Sequence, residues 1–236
     1  MVLPDRDLSC AGYSFFSLFS TIIFSQDYSA KVYGFSVADA RLTLKPDSIN
    51  LQFKTNGIVD FIWPSNNTYW TYFDSTHFGL KTFQKKIRQE NFDQKFLIEL
   101  SDGNLKYKKK TRVRADSTKT IFTMLAMLTD RPYEMLDTQW FEMDHEGKPI
   151  LGRFLWAGTE TITIGHTNIL CDHFRVDFKH IDEITGFLTQ TDRFMQYAPN
   201  PDGVCQIWVE RNGNRRIIRV TINAYGFSYE ILIKND

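Results

Sequence analysis

No stretch of this 236-residue chain is apolar for long enough to cross a bilayer comfortably as a helix, and the chain carries no net charge. Lys and Arg together number 28, as do Asp and Glu, so no overall field steers the protein onto nucleic acid or an anionic membrane. A nucleic-acid partner is not expected. A Gly-rich phosphate loop, a Gly-x-Ser-x-Gly elbow and a His-Glu-x-x-His pair are all missing, which removes the common nucleotide-binding, hydrolase and metalloprotease signatures. No catalytic residue, cofactor or metal is read from the sequence. The three cysteines, Cys10, Cys171 and Cys205, have no framework spacing. An oxidising compartment would permit Cys171 to pair with Cys205, but Cys171 lies on the polar phase of its strand and Cys205 is in phase with Ile207 and Val209.

What is present is apolar and aromatic. Hydrophobic residues make up 42% of the chain and aromatics 15%, ample for a packed core and unlike a disordered segment. No composition break, linker or repeat divides the chain, so one core is the simpler reading. Residues Tyr13 to Phe24, YSFFSLFSTIIF, have the length of a signal-peptide core, and polarity returns at Ser25-Gln26-Asp27. The expected organisation is a signal peptide over 1–26 and one β-rich domain over 27–236, exported to the periplasm or outside the cell. Asp5, Arg6 and Asp7 stand where a positive segment is usual, and Cys10 precedes the apolar run, unlike a lipoprotein cysteine.

From Ala30 to Leu44 the small and apolar residues share one parity, and Ile49, Leu51 and Phe53 continue it before Asn56-Gly57, a hairpin signal. Asp60 to Lys86 is aromatic-rich and irregular. Phe96, Ile98 and Leu100 alternate again, and a basic run from Lys106 to Arg114 reads as a solvated strand with edge-protecting lysines. Asp116-Ser117 offers an N-cap, Ile121, Met124, Leu125 and Leu128 recur at helical spacing, and Arg131-Pro132 ends the pattern. The second half is nearly all strand signal with short turns at Glu146-Gly147, Asn200 to Gly203 and Asn212 to Asn214. Asp144, His145 and Glu146 read as a solvated turn. The expected fold is mainly β: a long curved antiparallel sheet or half-barrel with one amphipathic helix packed on it.

The segments WAGTETITIG (Trp156 to Gly165), QIWVERNGNRRIIRV and GFSYEIL resemble the C-terminal half of exported bacterial proteins grouped as domain-of-unknown-function family 3108. Glu160, Gly165, Trp208 and Gly226 occupy the matching places. The acidic residue after the Trp strand stands as Glu210, and a proline of the last hairpin is replaced at or near Ile217. The resemblance implies a curved antiparallel sheet akin to the half-barrel of bacterial lipoprotein carriers, with no established activity.

Export, aromatic richness and missing chemistry together suggest a noncatalytic envelope protein that binds an apolar ligand, a lipid or a partner segment. Trp63, Trp70, Tyr72, Trp156 and Trp208 are the candidate ligand-binding residues. Two alternatives stand beside this. One is an envelope hydrolase or other enzyme with a noncanonical site near Cys171 and His173, which share a strand face with Arg175 and Asp177. The other is a structural or assembly protein without a cavity. A further expectation places Trp208 and the helix stripe in one core, unless Trp208 faces a ligand instead.

Overall fold

The alternation read from the sequence becomes one antiparallel sheet in the computed structural model, which describes residues 24–181, 185–224 and 226–234. The chain builds two meanders. The first runs through β1 (Phe24–Val32), β2 (Phe35–Lys45), β3 (Ser48–Thr55), β4 (Asn66–Phe73), β5 (Leu80–Gln89), β6 (Phe92–Ser101), β7 (Asn104–Tyr107) and β8 (Lys110–Val113). The second runs through β9 (Trp140–His145), β10 (Lys148–Ile164), β11 (Thr167–His180), β12 (Val204–Glu210), β13 (Ile217–Ala224) and β14 (Phe227–Ile233). They join where β1 lies beside β14, with Tyr28 opposite Ile233, giving the order β8-β7-β6-β5-β4-β3-β2-β1-β14-β13-β12-β11-β10-β9. Short connections make neighbours in sequence neighbours in the sheet. The expected signal segment lies almost wholly outside the described residues, but the proposed boundary at Gln26–Asp27 falls inside β1, where Gln26 is buried opposite Leu42.

The outermost strands, β8 and β9, do not pair with each other, so the curved sheet is not closed by a backbone ladder. Side chains join its edges instead. Arg112 donates to the carbonyl oxygens of Gly147 and Thr185, and Arg114 Nε lies 2.9 Å from Asp144 Oδ2. The segment between β8 and β9 also reaches across, since Lys119 N donates to Glu142 O and Asp144 N to Lys119 O. The basic run therefore does include edge cations, and two of its arginines bind across the seam.

Inside the curve lies α2 (Ile121–Asp130). Its N-cap is Thr120, which exchanges capping-box bonds with Thr123, three residues beyond the expected Asp116-Ser117 cap. Arg131 and Pro132 end it as read. The buried face differs from the expected stripe: Phe122, Thr123, Met124, Ala126, Met127 and Leu128 are buried, whereas Ile121 and Leu125 are only half-buried. A sheet that wraps a helix touches it on most sides, so the stripe that would face a flat sheet no longer marks the inside. Phe122 packs its ring 5.3 Å from Tyr69, 5.4 Å from Phe83 and 6.1 Å from Phe194.

Several local expectations change. Asn56-Gly57 starts α1 (Gly57–Ile62), with Asn56 as N-cap and Gly57 at φ +55°, so the same turn-prone pair begins a helix where a hairpin was expected. The irregular stretch Asp60 to Lys86 contains β4 and most of β5. A third short helix, α3 (Arg193–Tyr197), is capped by Asp192, whose carboxylate accepts from Met195 N at 3.1 Å. Asp144 and Glu146 are buried, contrary to a solvated turn, because the β9–β10 turn folds under residues 185–187. Gly147 in that turn has φ +92°, and a Cβ there would meet Phe187 Cδ2 at 2.6 Å.

Trp208 is buried in the same hydrophobic core as Phe122, Met124 and Leu128, with Ile121 and Leu125 packed against that core, as expected. Its Nε1 donates to Glu160 Oε2 at 2.6 Å and its ring stacks 4.3 Å from His173, its register partner on β11. Phe122→Ala is expected to destabilise the protein by about 3–5 kcal/mol, and Leu125→Ala by less, since it is half-buried. Urea melts of both variants measure this, and a Phe122→Ala protein as stable as its parent would contradict the wrapped-helix packing.

Candidate functional site

The aromatic residues chosen from the sequence do not converge. Trp63 stands at the C-terminal end of α1, 51% exposed, with the Arg193 guanidinium 3.9 Å from its ring centre. Trp70 and Tyr72 share the solvent face of β4. Trp156 stacks on Tyr133 at 4.3 Å at the opposite end of the sheet from α1. Trp208 lies in the Glu160–His173 cluster, with Arg219 4.8 Å from its ring.

One of these residues belongs to a larger apolar surface. The β1–β2, β5–β6, β9–β10 and β13–β14 turns lie at one end of the sheet, together with α1 and α3. None of the residues of α1 is buried: Ile58, Phe61 and Ile62 are exposed, Phe61 at 90%. Asn56 ties the start of α1 to β2 through Ser36 and Val37. Next to that contact Tyr33 and Phe35 are exposed in and after the β1–β2 turn. Tyr33 OH donates to Gly226 O at 2.6 Å, which brings in Phe227, its ring 6.5 Å away. An apolar helix with no buried residue, beside exposed rings on two turns, makes an aromatic rim of a kind that marks interaction surfaces.

Beneath the rim is a buried ionic cluster that the sequence reading missed. Lys85 on β5 is fully buried, and its Nζ contacts Glu146 Oε1 and lies 2.8 Å from Asp192 Oδ2 and 2.6 Å from Thr191 Oγ1. Tyr69 OH donates to Asp192 Oδ1 at 2.6 Å, and Asn67 Nδ2 to Tyr69 OH at 3.3 Å. Burial raises the Glu146 carboxyl above its usual range, with Lys85 opposing, and pushes the Tyr69 phenol well up, assisted by Asp192. A signal for Lys85 existed: it is in phase with Phe83 and Ile87 on the inward side of β5. The adjoining cavity, between Phe83, Ile121, His145 and Met195, has about 10 Å³, room for a single water and not for an acyl chain.

Cys171 and His173 do share a face, but burial works against a thiolate there. Cys171 and Cys205 are free and buried, and burial pushes each thiol up to about 12, aided at Cys171 by Glu210. Cys171 is buried although its parity is polar. His173 is stacked on Trp208, and burial lowers its pKa. Among the described residues no three His, Cys, Asp or Glu side chains converge as metal ligands, and no helix is long and apolar enough to cross a membrane.

No family model matches the chain, and no curated protein sequence matches it. Among solved structures, it is similar to a β-barrel-like protein of domain-of-unknown-function family 1849 from Brucella abortus, with TM-score 0.58 and 12% identity over 90% of this chain and 96% of that chain. The hypothetical lipoprotein YmcC from Escherichia coli (K12) superposes with TM-score 0.41 and 11% identity over 90% of this chain and 84% of that chain, too loosely to bear on the argument. The first likeness places the fold among β-barrel-like proteins of unknown function. It gives no support to family 3108 in particular.

Two outcomes test the cluster. Lys85→Met leaves Glu146 and Asp192 buried without their cation and is expected to cost about 3–5 kcal/mol at neutral pH. Burial already raises the Glu146 carboxyl, and with the cation gone that group gains a proton more readily when folded than when unfolded, so the deficit should shrink on acidification; denaturant titrations at two pH values decide, and a constant deficit would contradict the assignment. The second concerns His145, whose pKa burial, with Lys148 and Lys85, lowers to about 4. Unfolding restores it to about 6.5, so this contribution to stability is complete above that value and is lost as pH falls towards about 4. In His145→Gln that part of the acid limb should flatten, and an unchanged limb would contradict it.

Proposed function

We propose that the chain is an exported, noncatalytic protein that engages lipid through the aromatic rim at the α1 end of its barrel-like sheet. The observation that carries this reading is α1 itself, a helix with Ile58, Phe61 and Ile62 exposed and the exposed Trp63 as its C-cap. Trp, Tyr and Phe beside a cation such as Arg193 suit a membrane–water interface, where the ring bodies bury and the polar ends stay wet. The filled interior favours binding at the rim over uptake into the curve, since α2 and its aromatic neighbours occupy that space. Export rests on the apolar run Tyr13 to Phe24. The chemistry at Cys171 and His173 lends no support to an enzyme there.

Flotation of the protein with phosphatidylethanolamine–phosphatidylglycerol vesicles tests the rim. The parent should float, and Phe61→Ser combined with Trp63→Ser should weaken binding by about tenfold or more while leaving the melt unchanged, because burying either side chain contributes about 1.5–3 kcal/mol. A parent that stays with the soluble fraction would overturn the lipid reading.

A further inference from the structure

A separate surface has a different chemistry. On the side of the sheet away from α2, register fixes the solvent-facing residues of β3 to β6 in rows. Trp70 lies between Asn50 and Gln84, Tyr72 between Ser48 and Thr82, and Thr68 between Gln52 and Lys86. Trp70 and Tyr72 are two residues apart on β4, about 6.6–6.8 Å along the strand, so their rings follow one another on a single surface. Tyr72 is 51% exposed, and neither ring packs on another aromatic ring among the described residues. Outward aromatics on a sheet gain most from aromatic or β-branched cross-strand partners; here the flanking groups are largely amides and hydroxyls. Asn50 Nδ2 donates to Tyr69 O at 3.0 Å, which holds that amide in place.

Two like charges face each other on this surface. Lys86 on β5 lies directly opposite Lys95 on β6, and neither forms an ion pair among the described residues. Like charges directly opposite each other destabilise a sheet, and an anion between them would relieve that. Other charges on or beside these rows include Lys54 and Lys45, with Asp39 opposite Lys54, Arg41 paired with Asp27, Arg88 opposite Asp93, and Glu99 opposite Lys106.

We propose that this face binds an acidic polysaccharide. Pyranose rings present C–H faces that stack on Trp70 and Tyr72, their hydroxyls suit the amides of Asn50, Gln52 and Gln84, and a uronate carboxylate suits Lys86 and Lys95. A lipid would leave the amides without partners. A single-stranded nucleic acid calls for a cationic groove along its backbone, and the chain has no net charge to supply one.

Affinity electrophoresis of the full chain in gels containing polygalacturonate, dextran or polyglutamate tests this. Polygalacturonate should retard the protein, with dextran and polyglutamate weaker by about tenfold. Trp70→Ala should weaken binding to polygalacturonate by about tenfold, and Trp70→Phe should keep part of it, with thermal melts confirming that both variants fold. Lys86→Gln with Lys95→Gln should abolish the preference for polygalacturonate over dextran. No retardation by polygalacturonate, equal retardation by polyglutamate, or a folded Trp70→Ala variant that binds as the parent does would each overturn the proposal.

Discussion

The ammonium of Lys85 sits where three separated parts of the chain meet. It comes from β5, Glu146 from the β9–β10 turn at the far edge of the sheet, and Asp192 from the cap of α3. Because β8 and β9 do not pair, the backbone closes the gap only through the few bonds around Thr118 and Lys119, and a buried cation with partners on both sides of the gap does part of that work. Such a cation is tolerated only when fully satisfied, and here two carboxylates and the Thr191 hydroxyl surround it. The dependence extends outward. Asp192 caps α3, the next residue, Arg193, covers the Trp63 ring, and Trp63 belongs to the rim. The geometry of the exposed aromatics is thus tied to an ion pair that solvent does not reach.

Much of the fold could be read from parity. The strands around Ala38, Leu42 and Ile49, the β6 alternation through Phe96 and Ile98, and nearly the whole second meander follow from period two with short turns between. Strands β4 and β5 escaped because their faces do not separate by polarity. In β4 the buried positions include Asn67 and Thr71 while Trp70 and Tyr72 face solvent; in β5 Lys85 is inside. Local sequence records the side-chain type, whereas the partner that makes a buried Lys or Asn tolerable lies more than a hundred residues away, as Asp192 does from Lys85. The same distance effect hid Asp144 and Glu146, whose turn looked solvated until residues 185–187 folded over it.

The aromatic residues selected for ligand binding illustrate the converse. Composition identifies rings but not the surface each one reaches, and here a bulge beyond Trp156 and the wrapping of α2 assign them to different surfaces. Trp208 was open to two readings, core with the helix or concave ligand wall. The structure buries it in the same core as the helix residues, with Glu160, His173 and Arg219 holding its ring.

A curved sheet offers a ligand its hollow or its outside, and this chain has filled its hollow. Phe122 lies among Tyr69, Phe83 and Phe194, and the space left beside Glu146 holds about 10 Å³. An apolar guest entering the curve would have to displace α2 from contacts that each contribute to stability and separate edges held by Lys85, Arg112 and Arg114. Binding outside asks for neither. The two outer surfaces differ in what surrounds their rings: apolar side chains on a helix with nothing buried at the rim, amides and paired lysines on the face of β3 to β6. That difference in neighbours, more than the rings themselves, separates a surface suited to lipid from one suited to a hydroxylated, acidic polymer.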